Sequence, residues 1–313
     1  MKRNILLIGG TGMLGFEVAR ELVKAQSFEV RALVRNLTPN AEKDRVAIHR
    51  LLDLGVTLIQ GDLHALETLR DATAGAHTAI STVQGGADVI IEGQKNLLRA
   101  CEENGVQRLI PSDFAVDFTT MDRSQHEFLG QRNEFRAAAA NSNVQLISIQ
   151  QGAFTEMLLS PFLSEVNWRT RAIQSWGDGT VRCDFTTIAD TAKLVAAVAA
   201  DDKAPDIVQF SGDAKTYQEV AQIFSDIIGE PFQFQSLGSI ADLLQSIADT
   251  KASSNNPMDY VARQYQWATQ SGVGALKRLQ NARYPHIKPV AIREFLQAHP
   301  LVEQAMQATK NGR

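Results

Sequence analysis

A short apolar run, Ile5-Leu6-Leu7-Ile8, feeds directly into Gly9-Gly10-Thr11-Gly12-Met13-Leu14-Gly15. The run reads as a buried parallel strand, since strands covered on both faces are continuously apolar. A helical pattern follows at once, with Leu14, Val18, Ala19, Leu22 and Val23 on one face. Between strand and helix each glycine has a physical task. Gly9 permits a tight turn, Gly12 lets backbone approach a pyrophosphate, and Gly15 lets the helix pack closely on the sheet. The N–H groups at the helix start, from Thr11 through Leu14, offer an anion site reinforced by the helix dipole. A glycine triplet alone is weak evidence; its placement between a strand and a helix is what makes it specific, against the alternative of a ligand-free turn.

A second apolar run, Val30 to Val34, ends at Arg35, twenty positions after Gly15 (35 − 15). A carboxylate here would bind adenosine ribose hydroxyls, whereas an Arg accommodates a 2′-phosphate. Arg35 therefore points to NADP(H). Lys43 is the better placed of three further cations; Arg31 and Arg45 read as solvated charges.

The 313 residues suit one large α/β unit with a smaller one appended. No uninterrupted apolar run approaches a membrane span, and the glycine loop comes too soon after the basic start for a signal peptide. Cys101 and Cys183 have neither metal-ligand nor disulfide-framework spacing, so reduced thiols, a cytoplasmic location and no metal are expected. A net charge of −4 argues against a broad nucleic-acid surface.

Strand and helix patterns alternate to about residue 150. Helices are predicted near 44–54, 66–73, 90–104 and 124–141, with strands at 56–60, 78–83, 108–111 and 144–149. Such alternation gives a Rossmann-type parallel sheet with helices on both faces, whose ligands lie beyond the strands' carboxyl ends. Asp62, Leu63, Thr82, Val83, Ser112, Gln151, Gly152 and Phe154 would gather there with the glycine loop. Residues 155–179 show no clean strands, and 184–190 reads as a strand entering a helix that runs to Ala200, before a strand at 207–210. Thr216-x-x-Glu219 is a capping box for a helix closed by Gly229, and Ser239-x-x-Asp242 resembles a second. Thr250 to Asn256 reads as a mobile polar loop. The expected division is 1–155, with 180–212 returning to it, as the NADP-binding unit, and 156–179 plus 213–313 as a smaller α/β substrate unit. Met157, Phe162, Trp168, Tyr260 and Trp267 could line a closed apolar pocket there, or serve as ordinary core.

The order of the glycine loop, Arg35, Gly61-Asp62-Leu63, Ile80-Ser81-Thr82-Val83, Gln94–Ala100, Arg108-Leu109-Ile110-Pro111-Ser112-Asp113-Phe114 and Tyr284–Lys288 resembles the isoflavone-reductase-like and NmrA-like group of atypical short-chain dehydrogenases/reductases. Ala115 and Asp113 depart from that group's usual Pro-Ser-Glu-Phe-Gly. The resemblance implies an NADP(H)-binding Rossmann unit and either a reductase of a small aromatic or unsaturated carbonyl-type substrate, or a dinucleotide-binding redox sensor acting through a protein partner.

Reductases of that group carry a Lys on the helix after this motif. Here Gln131 falls at the position. An amide can donate a hydrogen bond to a carbonyl but delivers no proton at neutral pH. Phe128, Gln131 and Phe135 share a helix face, so Gln131 reads equally as a satisfied buried amide. His126 is a candidate proton donor or an exposed residue at a helix start. Ser112 is a candidate hydrogen-bond partner of substrate or nicotinamide ribose, and Asp113 lies near the cofactor or caps the next segment. Tyr284-x-x-x-Lys288 matches the ordinary short-chain dehydrogenase pair only formally.

Overall fold

The structure, a computed structural model, describes residues 2–311, with side chains to residue 307. Strands β1 (Arg3–Ile8), β2 (Phe28–Val34), β3 (Thr57–Gln60), β4 (Thr78–Ser81), β5 (Arg108–Ile110) and β6 (Gln145–Leu146) form one parallel sheet, in the order β3-β2-β1-β4-β5-β6. Helices α1 (Met13–Lys24), α2 (Glu42–Asp53), α3 (Leu66–Thr73), α4 (Gln94–Glu103) and α5 (Glu127–Ala138) lie between them in the chain. β1 has β2 on one side and β4 on the other, so strand order reverses beside it. Ligands of open α/β sheets bind at such a reversal.

Successive β1 side chains point to opposite faces, and both faces are buried. Ile5 and Leu7 join Val18, Leu22, Val195 and Val198 on one side. Leu6 and Ile8 join Leu69, Leu97 and Phe135 on the other. Each such burial contributes roughly 1.5–3 kcal/mol, which is why the run tolerates no polar residue.

The later chain forms β7 (Ser148–Gln150), β8 (Ala153–Phe154), β9 (Val166–Asn167), β10 (Ala172–Ser175), β11 (Cys183–Thr186), α6 (Ile188–Ala200), β12 (Ile207–Gln209), β13 (Asp213–Lys215), α7 (Tyr217–Ile228), β14 (Gln233–Ser236), α8 (Ile240–Ser253), α9 (Val261–Gln270), α10 (Ile292–Gln297) and α11 (Pro300–Asn311). Helix α6 packs on α1, and β12 pairs with β7. A separate core gathers Ile173, Phe185, Tyr217, Phe224, Ile227 and Leu296. The Thr216–Glu219 box forms reciprocally at the start of α7, and Gly229 ends that helix at φ +79°. The Ser239–Asp242 box does the same for α8.

Several local expectations need correction. The stretch read as strandless, 155–179, holds β9 and β10, and β10 pairs in parallel with β14. The single strand expected at 144–149 is two: β6 extends the large sheet while β7 turns to β12. Thr250 to Ser253 is the last turn of α8 rather than loop, with Arg263 donating to Thr250 Oγ1 at 2.7 Å. The helix expected from Ile90 opens instead with a wide π turn, Asp88–Gly93.

Candidate functional site

The turn after β1 is held by Gly12 N–H donating to Gly9 O at 3.0 Å, with Gly9 at φ +82°. A Cβ on Gly15 would lie 2.1 Å from Gly9 O and 2.7 Å from Thr82 Oγ1. A Cβ on Gly9 would lie 2.8 Å from the same Thr82 oxygen. Thr82 follows β4 and ties itself across the reversal, with both its N–H and its hydroxyl donating to Ile8 O. The loop is therefore clamped between β1, β4 and α1. Thr11, Gly12 and Met13 stand exposed at its rim, Met13 at 80%. Helix α1 begins with no side-chain cap and no acidic residue in its first turn. Uncapped N–H groups at a positive helix end are a ready anion site, and the cradle is one a Cβ would fill.

Arg35 emerges exposed from the end of β2 and has no hydrogen-bond or ion-pair partner among the described residues; the same holds for Lys43 on the first turn of α2. Arg31 instead donates to Ala74 O and Arg45 to Asn40 O, so those two cations are committed elsewhere. Asp62 holds the chain after β3 through its Oδ1, which accepts from His64 N–H at 2.8 Å. Leu63 is buried, and its carbonyl accepts from Asn96.

From Thr82 the site continues without a break. Ser112 Oγ donates to Val83 O at 2.6 Å, and Ser112 N–H donates to Gln94 Oε1 at 2.8 Å. Ser112 O accepts from Arg132 Nε at 2.9 Å, which brings α5 against the end of β5. The Ser112 hydroxyl is thus engaged in joining β5 to β4, which argues against a free substrate contact. Gln94 enters the sequence reading only as the start of the Gln94–Ala100 stretch, with no role of its own. It is a fully buried polar residue on the apolar face shared by Ile90, Leu97 and Cys101, and that mismatch was the available signal.

Gln131, next to Arg132, is 2% exposed. Its Nε2 donates to Glu127 Oε1 at 2.9 Å, while its Oε1 is buried without a partner among the described residues. Glu127 is also held by Arg123, through Nη2 at 2.7 Å.

His126 is not the exposed residue expected from the sequence: it is fully buried. Its Nδ1 accepts from Leu129 N–H, capping α5, and its ring meets Tyr265 edge-on at 4.5 Å. Burial pushes its pKa down to about 3, with Arg132 and Lys251 adding to the effect. It is a neutral cap at physiological pH and a poor proton donor.

Asp113 neither faces solvent nor caps a helix. It is fully buried with Arg136 Nη1 3.6 Å away, and burial raises its pKa against the opposing pull of Arg136. Gln151 is buried, with its carbonyl accepting from Thr186 Oγ1. Gly152 N–H donates to Ala115 O, and Phe154 pairs with Thr186 across β8 and β11.

The five residues read as lining one closed pocket or as ordinary core have different surroundings. Trp168 meets Phe224 and Phe232 of the smaller core edge-on. Trp267 packs with Val116, Phe118 and Leu129. Phe162 is 39% exposed against Tyr265, Tyr260 is buried under Lys251, and Met157 is half-buried in the turn after β8. Gln209 ties the loops near this region together. Its Nε2 donates to Asp117 Oδ2 and Gln150 Oε1, and its Oε1 accepts from the N–H groups of Lys277 and Arg278.

No helix among the described residues is long and apolar enough to cross a membrane. Comparison with known proteins matches residues 1–296 to the pattern described as the NmrA-like family. The isoflavone reductase homolog IRL of Zea mays is 27% identical over 253 residues, covering 78% of this chain and 80% of the relative. The isoflavone reductase of Glycine max is 24% identical over 318 residues, covering 94% of this chain and 98% of the relative. A solved structure described as AtPrR2 with NADP+ and (+)pinoresinol superposes with a TM-score of 0.82 at 20% identity, covering 95% of this chain and 98% of that one.

Proposed function

The chain belongs to the NmrA-like family, and from that footing we propose that it is an NADPH-dependent reductase of a small aromatic or unsaturated carbonyl-type substrate. The observation that carries the reading is the clamped glycine loop with an unpaired Arg35 beyond it. The names of its relatives agree. Residues 1–155 with 180–212 form the cofactor-binding unit, and 156–179 with 213–313 the substrate-binding unit.

When bound, the reduced cofactor supplies a hydride. The N–H groups of Thr11 to Leu14 bind its pyrophosphate, and Gly9, Gly12 and Gly15 leave it room. Arg35, assisted by Lys43, takes the 2′-phosphate as a charge-assisted contact. Asp62, Leu63, Thr82, Val83, Gln151, Gly152 and Phe154 border the rest of the cofactor. Ser112 and Gln94 hold the adjoining strand ends in register. Gln131 orients the substrate. Neither Gln131 nor neutral His126 delivers a proton at pH 7, so water supplies it.

The same lack of a side-chain acid favours a second reading, a catalytically silent NADP(H)-binding sensor that works through a protein partner. NADPH consumption across a panel of quinones, enones and phenylpropanoid ethers separates the two. Turnover with any member establishes the enzyme. Tight NADPH binding with no turnover on any establishes the sensor.

A further inference from the structure

We infer that Gln131 selects substrates through its carbonyl oxygen, accepting a hydrogen bond from an O–H or N–H group on the ligand. This rests on the reading that α5 borders the substrate. It reverses the polarity that the sequence suggests for an amide here, where the N–H end would polarise a substrate carbonyl.

The orientation of the amide is fixed by chemistry. Glu127 is ion-paired with Arg123 and, when ionised, can only accept hydrogen bonds. The end of Gln131 that faces it at 2.9 Å must therefore be the NH2 group. A flip would set two oxygens against each other. The carbonyl is left inside, in a residue only 2% exposed and without a partner among the described residues. Leaving a buried acceptor without a partner is costly, and buried polar atoms without partners call for a reason. Gln131 also stands beside Arg132 on α5, the helix that a run of contacts ties to the phosphate loop. Thr82 abuts Gly9 and Gly15, Ser112 bonds Val83 O, Arg132 bonds Ser112 O, and Gln131 follows on the same helix. A ligand donor arriving there makes a hydrogen bond that the free protein lacks. A ligand without one leaves the penalty standing, which is how a site built around a hydrogen bond rejects the analogue that cannot make it.

The test uses the full chain saturated with NADP+, so that no turnover occurs. The probes are the 2-, 3- and 4-hydroxy isomers of benzylideneacetone, each paired with its methyl ether, titrated calorimetrically. At least one hydroxy isomer should bind tenfold or more tighter than its ether. Gln131→Met should erase that difference. Glu127→Gln, which lets the amide flip, should reduce the preference several-fold in a folded protein. Equal affinity within all three pairs, or a preference that survives both substitutions, overturns the inference. NADPH oxidation is assayed in parallel. Turnover without hydroxyl preference sinks the inference and leaves the reductase standing. Preference without turnover does the opposite.

Discussion

Gln131 and Glu127 lie one turn apart on α5, joined by a 2.9 Å hydrogen bond that uses the amide's donor end. Gln131→Lys puts an ammonium at the same place, with Glu127 to hold its charge. NADPH oxidation with aromatic enones or carbonyls should then appear or rise, with a pH dependence the parent lacks. A pH–rate profile identical in shape to the parent's would rule this out.

Arg35 has no partner among the described residues to lose. Its contact with a 2′-phosphate should make NADPH bind on the order of tenfold or more tighter than NADH, since each tenfold is about 1.4 kcal/mol. Arg35→Ala should abolish the difference and leave the unfolding midpoint unchanged. Calorimetric titration with both cofactors decides it; equal affinities in the parent would refute the assignment.

Gly15→Ala and Gly12→Ala should behave differently. A methyl at Gly15 meets Gly9 O at 2.1 Å, a backbone atom that cannot swing away. Overpacking of this kind costs about 1–3 kcal/mol, so both stability and NADPH affinity should fall. At Gly12 the same oxygen would be 3.3 Å away, a tight contact rather than an overlap, so stability should fall far less than at Gly15 while affinity falls. Thermal unfolding beside NADPH titration reads both. A Gly15→Ala protein as stable as the parent would contradict the packing argument.

Two buried groups pull stability in opposite directions with pH. Burial raises Glu165 from 4.5 to about 7, despite hydrogen bonds from Tyr217 and Gln270. Its folded pKa lies above the unfolded one, so its contribution is present below about 4.5 and is lost as pH rises to about 7, a difference of roughly 3 kcal/mol. His126 is lowered from 6.5 to about 3, so its contribution is present above 6.5 and is lost as pH falls toward 3. Between pH 4.5 and 6.5 the two offset each other. Glu165→Gln should therefore lose stability on acidification from pH 6.5 to 5, by more than the parent does. His126→Asn, which keeps a capping side chain, should gain it. Urea unfolding at the two pH values checks this, and equal slopes for the three proteins would dismiss it.

The parts legible in the sequence are those set by neighbouring residues. The glycine loop, Arg35 and the two capping boxes each follow from a few consecutive positions, and the structure forms the loop and boxes at those positions. What escaped depends on distant partners. β10 is four residues long and exists as a strand because β14, sixty-one positions on, lies beside it. His126 is polar at a helix start, and the ring that meets it edge-on, Tyr265, lies far along the chain on α9. Ser112 looked free because nothing nearby in sequence announces Val83 or Gln94 as its partners. The aromatic residues read as pocket or as ordinary core, and packing sets Trp267 with Val116 and Leu129 while Trp168 lies against Phe224.

Gln209 gives the C-terminal region an unusual dependence. The amide protons of Lys277 and Arg278 find their acceptor in one side-chain oxygen on β12, while the nitrogen of the same side chain holds Asp117, far earlier in the chain. Solvent exchange at residues 277 and 278 is therefore governed by a position some seventy residues away. The loop after β5 and the segment before the last helices are riveted into one mechanical unit, and a ligand that stiffens either should slow exchange in both.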